Sequence, residues 1–152
     1  MENYRKMELN ELYNQLIAEG CLQFCIEGIG EQCYDDIERL EMKAGQWSVS
    51  YYERGQVRET LFSSLDKQEA IRFYYDHIMK IRHWHLVVST RSPDLFNGYK
   101  ELLESLNIRT VQNDIKEEHD YKYRLFVTNK DIFKAKELFD EIPYFDEDPA
   151  RL

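Results

Sequence analysis

Trp47-Ser48-Val49-Ser50-Tyr51-Tyr52-Glu53-Arg54-Gly55-Gln56-Val57, running on to Phe62, is the stretch that decides the fold. Trp47, Val49 and Tyr51 alternate with Ser48, Ser50 and Tyr52, the period of a half-buried strand. Arg54-Gly55-Gln56 reads as a hairpin turn, because glycine adopts the positive φ that such turns need. Val57 to Phe62 returns as the paired strand. Alternation places Tyr52 and Arg54 on one face and Trp47 and Tyr51 on the other. Whichever pair faces outward is a candidate anchor for a partner, since Trp, Tyr and Arg dominate interface hot spots.

Upstream of the hairpin, Met7, Leu9, Leu12, Leu16 and Ile17 recur at threes and fours, so residues 5–19 form a helix with one apolar stripe. Gly20 is placed to end it. Leu22, Phe24 and Ile26 alternate as a strand that Gly28 and Gly30 break, and Ile37, Leu40 and Met42 suggest a further strand before a turn at Ala44-Gly45-Gln46. Downstream, Asp66 stands where a helix N-cap belongs, with Glu69 three residues on. Ala70, Ile71, Tyr74 and Ile78 form that helix's inner face.

Leu86 to Val88 begin a second half as a short buried strand. Ser92-Pro93-Asp94 opens a helix that Asn107 stops. Ile108 to Gln112 is a strand, 113–120 a polar loop or hairpin tip, and Tyr121, Tyr123, Leu125 and Val127 another strand. Asn129 or Asp131 caps a last helix that Pro143 ends, and the acidic tail from Asp146 onward is loose. The expected class is α+β, with antiparallel or mixed sheets flanked by helices and a second half of order β-α-β-β-α. The chain of 152 residues is long enough for one compact unit over 1–152, or for two closely packed subdomains, 1–82 and 83–152.

The 29 acidic and 20 basic residues give a formal net charge of −9, which disfavours contact with nucleic acid or anionic lipid and favours a basic protein partner. There is no signal peptide and no apolar run of membrane-spanning length, so the expected setting is the cytoplasm, with Cys21, Cys25 and Cys33 as reduced thiols. No nucleophile, phosphate-loop or zinc-protease signature occurs, so no catalytic residue and no cofactor is expected. His83 and His85, with His77 or His119, admit a metal reading; ordinary strand-edge hydrogen bonding is the simpler account. The acidic groups Glu117, Glu118 and Asp120, and the tail with Tyr144, Asp146, Glu147 and Asp148, form either a solvated face or a docking surface for a cationic partner.

The run Trp47 to Gly55, with Phe62, Ser64, Glu69-Ala70 and Phe73, resembles bacterial immunity proteins, the antitoxins of polymorphic or contact-dependent toxin systems, over residues 47–75. The resemblance implies a small acidic protein that holds a cognate toxin, often a basic nuclease, by surface complementarity, with no catalytic residues of its own. On that reading the partner-binding set is Tyr52, Arg54, Glu117, Glu118, Asp120, Tyr144, Asp146, Glu147 and Asp148. A regulatory or adaptor module holding a small ligand or a protein subunit is the alternative.

Overall fold

The computed structural model describes residues 7–146 and divides after Ile81 into two compact units, each with its own apolar core. The fold is α+β, as the residue patterns predict.

The first unit runs α1 (Leu9–Ala18), β1 (Cys25–Ile26), β2 (Ile37–Lys43), β3 (Gln46–Glu53), β4 (Gln56–Ser64) and α2 (Lys67–Met79). The strands form one sheet in the order β1-β2-β3-β4. The β2–β3 and β3–β4 hairpins each turn on two residues with positive φ, Ala44 with Gly45 and Arg54 with Gly55. Paired positive φ values give a turn whose twist matches that of the strands it joins. Asp66 caps α2, its carboxylate accepting from Gln68 N–H. Gly20, at φ +77°, follows the last turn of α1. The strand expected over residues 22–26 shrinks to Cys25–Ile26. It pairs in parallel with β2 and draws no hairpin partner, so Leu22 and Phe24 remain outside the ladder. Leu12, Leu16, Ile26, Leu40, Val49, Ala70, Tyr74 and Ile78 fill the core between the helices and one face of this sheet.

The second unit runs β5 (Trp84–Thr90), α3 (Pro93–Ser105), β6 (Thr110–Gln112), β7 (Ile115–Glu117), β8 (Asp120–Thr128), α4 (Asp131–Leu138) and β9 (Tyr144–Phe145). Strand order is β6-β8-β5-β9, with β7 hairpinned onto β8. Strand β8 therefore lies between β5 and β6, the two strands that α3 connects. Ser92 caps α3 through Leu95 N–H, and Asn107 ends it at φ +62°.

Three expectations for this half need correction. The segment 113–120, expected as a polar loop or hairpin tip, holds a hairpin whose tip is confined to Glu118 and His119, because Ile115–Glu117 form β7 and pair with β8. Helix α4 ends at Leu138, before Pro143, because the chain turns extended at Phe139, whose ring packs 4.4 Å from that of Tyr99. Asn129 does not cap α4; its side-chain oxygen accepts from His83 N–H, and its own N–H donates to the His83 carbonyl.

Candidate functional site: an acidic cleft in the first unit

The site begins with β2. Ile37, Arg39 and Glu41 point to the sheet face away from the helices, yet all three are buried, Arg39 to 1 % exposure. The segment from Glu27 to Asp36 folds back over that face. The Tyr34 ring lies over the Arg39 guanidinium at 4.0 Å. Arg39 Nη1 donates to the Cys33 carbonyl at 3.1 Å and to Cys25 Sγ at 3.0 Å. Arg39 Nε stands 3.5 Å from the Glu41 carboxylate, whose other oxygen accepts from the Tyr52 hydroxyl. A buried cation thus has a carboxylate, a carbonyl and an aromatic face around it, as buried charges require. Burial, and next the hydrogen bond to Glu41, push the Tyr52 hydroxyl up to about 12.

The covering loop is pinned at several points. Gly30, at φ +71°, lies against the Tyr13 ring of α1, and a Cβ there would stand 2.6 Å from Tyr13 Cε2. Gln32 donates to the Ile26 carbonyl at 2.9 Å. The β3–β4 turn reaches up to the loop, with Gly55 N–H on the Tyr34 carbonyl at 2.8 Å and Arg54 N–H on Asp35 at 2.7 Å. Tyr51 donates its hydroxyl to Asp36 at 2.9 Å. At the root of the loop, Tyr74 accepts from Cys25 N–H at 2.8 Å and donates to the Glu38 carbonyl at 2.7 Å. Burial pushes the Tyr74 hydroxyl far above the usual phenol range, so it stays a neutral donor.

Between this loop and α1 opens a cleft of about 620 Å³. Tyr13, Ile17, Leu22 and Phe24 supply apolar wall, and Glu31, Asp35 and Asp36 supply carboxylates. Among the described residues, no lysine, arginine or histidine lines it. Eight of its twelve described lining residues are exposed, so it is an open trough. The first unit holds 15 acidic and 9 basic residues, a net −6, against 14 and 11, a net −3, in the second. Charge and concavity therefore coincide in the first unit.

The residues expected to bind a partner fall elsewhere, and of them Asp120, Tyr144 and Asp146 come together while the others described do not. Tyr52 is withdrawn from that set: it is 8 % exposed, bound to Glu41 and covered by the loop, so no partner can touch it. Arg54 is exposed at the β3–β4 turn and lies outside the cleft lining. Glu117 and Glu118 are exposed at the β7–β8 tip. Asp120 is engaged by Arg91 Nε at 2.8 Å. Tyr144 is half-buried in β9, and Asp146 is no part of a loose tail. Its carboxylate accepts from the Thr90 hydroxyl and from Arg91 N–H, and its own N–H donates to the Ser89 carbonyl. Burial alone would raise the Asp146 carboxyl. The hydrogen bonds from Thr90, Arg91 N–H and Tyr144, with the Arg91 charge, outweigh it and hold the group below the ordinary range. Asp120, Tyr144 and Asp146 thus gather near Arg91, which tempers the anionic field there. Glu147 and Asp148 lie outside the described residues.

His83 is buried beside Asn129 and His85 is half-buried, while His77 pairs with Glu38 in the first unit. Among the described residues no three His, Cys, Asp or Glu side chains converge in a group fit to hold a metal ion. Among them, no helix is long and apolar enough to cross a membrane.

Reasoning from sequence missed the cleft and the buried Arg39–Glu41 pair. The signal was present: Arg39 and Glu41 alternate in phase with Ile37, so two charged residues share a strand face with an apolar one. Comparisons with protein-family models, with curated proteins and with solved structures return no match.

Proposed function

We propose that the protein is an immunity protein that binds and neutralises a cognate basic toxin domain by protein–protein contact, using the acidic cleft of its first unit. One observation carries this reading: a preformed trough bears three carboxylates and exposed apolar side chains, with no cation among its described lining residues. Long-range attraction would steer a cationic surface toward it, raising the association rate in a salt-dependent way. Leu22 and Ile17, 53 % and 43 % exposed, would then be buried under the partner. Pinning of the loop means that little ordering entropy is lost on binding, which favours affinity. The fit is to a macromolecule rather than a small ligand, because small-molecule sites enclose most of the ligand surface and this trough is mostly open. That observation ranks the adaptor reading for a small ligand second.

The test is direct. The toxin domain encoded beside this protein is assayed with the protein in excess, and the complex is titrated at rising salt. Inhibition with an association rate that falls steeply with ionic strength is expected. Glu31→Lys combined with Leu22→Asp should weaken binding at least tenfold without changing the far-UV spectrum. A toxin that stays fully active under excess protein ends the immunity reading. Undiminished binding by the double variant moves the interface away from the cleft.

A further inference from the structure

Two of the three cysteines meet at the root of the covering loop in an arrangement that packing alone does not require. Cys25 Sγ is buried and receives two N–H donors, Arg39 Nη1 at 3.0 Å and the Cys33 backbone N–H at 3.4 Å. With the Cys33 nitrogen that close, the Cys33 Cα lies within about 5 Å of the Cys25 sulfur, one bond length of about 1.46 Å further on. A closed disulfide, with an S–S bond of about 2.05 Å, places each sulfur slightly nearer than this to the other residue's Cα, so the two residues stand within a small movement of bonding. The Cys33 side chain is exposed and turned outward, with its thiol on the Asp35 carbonyl at 3.4 Å. Closing the bond requires the Cys33 side chain to turn inward from this position. Cys21 offers a contrast. It is buried on Met79 Sδ at 3.8 Å, and burial, with the Glu19 charge behind it, pushes its thiol up to about 11.

We propose that Cys25 and Cys33 are a redox-modifiable dithiol that closes to an intramolecular disulfide by exchange with a low-molecular-weight disulfide, Cys33 being the entry point and Cys25 the resolving thiol. In the first step Cys33 Sγ attacks the small disulfide. The reagent's S–S bond breaks, and one small thiol leaves with the Cys33 proton. In the second step Cys25 Sγ attacks Cys33 Sγ, the mixed disulfide breaks, and the second small thiol leaves with the Cys25 proton. Two protein thiols are oxidised and one small disulfide is reduced to two thiols. The Arg39 guanidinium lies against Cys25 Sγ at 3.0 Å, the sulfur that attacks in the second step. The inference does not depend on what the cleft binds, although Cys33 is part of the cleft wall.

The experiment incubates the reduced full-length chain with glutathione disulfide, quenches with an alkylating reagent in denaturant so that buried thiols also react, and maps the peptides by mass spectrometry. The expected result is a mass two hydrogens below the reduced form, a Cys25–Cys33 linked peptide, and Cys21 alkylated as a free thiol. Cys25→Ser should stop at a stable glutathione adduct on Cys33, and Cys33→Ser should remain unmodified at Cys25. Wild-type protein that halts at the Cys33 adduct with Cys25 still alkylatable overturns the proposal, as does a disulfide that includes Cys21. Both readouts on the wild-type chain stand even where a serine variant fails to fold.

Discussion

Replacing Tyr74 by Phe removes one oxygen atom and keeps the ring in the core, so its cost isolates a single polar junction. The hydroxyl accepts from Cys25 N–H and donates to the Glu38 carbonyl, joining α2 to the point where β1 enters the sheet. Tyr74 is 0 % exposed, and no water takes the hydroxyl's place without opening the core. Two backbone groups would then lose a partner in a buried setting, at about 1–3 kcal/mol each. The expected loss for the first unit is about 2–6 kcal/mol, a large share of the stability of so small a unit. At about 4–8 °C per kcal/mol, even the lower end of this loss is a fall of about 8–16 °C in its unfolding temperature. The two tryptophans make the measurement clean, since Trp47 lies in the first unit and Trp84 in the second. In a Trp84→Phe background, Trp47 fluorescence through a urea titration reports the first unit alone. A loss below about 0.5 kcal/mol with an unchanged m-value would refute the reasoning, because the hydroxyl would then not be holding the junction.

Arg39→Met alone should cost about 3–5 kcal/mol by leaving Glu41 buried without its cation, while Arg39→Met with Glu41→Leu should recover at least half of that loss in the same urea assay. Gly30→Ala should destabilise the first unit by more than about 1 kcal/mol in thermal unfolding. The added methyl meets the Tyr13 ring at a positive φ, and trimming Tyr13 to Ala as well should leave only the φ cost. For Asp146 the folded-state pKa lies below the unfolded value, so its contribution is present in full above about pH 4 and is lost as pH falls through the lowered folded value. Asp146→Asn should therefore lower the stability of the second unit at neutral pH, with the gap to wild type closing in acid. A gap that stays constant down to about pH 2 contradicts the assignment.

Local features were legible in the sequence because their causes are local. The two turns with paired positive φ, the caps at Asp66 and Ser92, and the stops at Gly20 and Asn107 each rest on one or two residues whose chemistry acts within a turn of the chain. What stayed hidden depends on distant contacts. Alternation correctly put Tyr52 opposite Trp47, but a strand pattern does not show whether a loop 20 residues upstream covers its second face. Parallel pairs such as β1 with β2 and β9 with β5 have no turn to announce them. Acidic residues near 117–120 and in the tail suggested two anionic clusters, and only the placement of Arg91 shows that one residue of each, Asp120 and Asp146, is already engaged. The cleft is assembled from α1, the segment after it and the covering loop, so its lining is scattered over residues 13–37.

The pairing of β9 with β5 has a consequence for how the second unit comes into being. Val88 and its partner Tyr144 are separated by 56 positions. At a synthesis rate of about 5–20 residues per second, the ribosome takes roughly 3–11 s to travel between them. Throughout that interval the Val87-Val88-Ser89 backbone offers an unfilled ladder to any passing nascent strand. The short segment that arrives last is therefore the one that shuts this open flank.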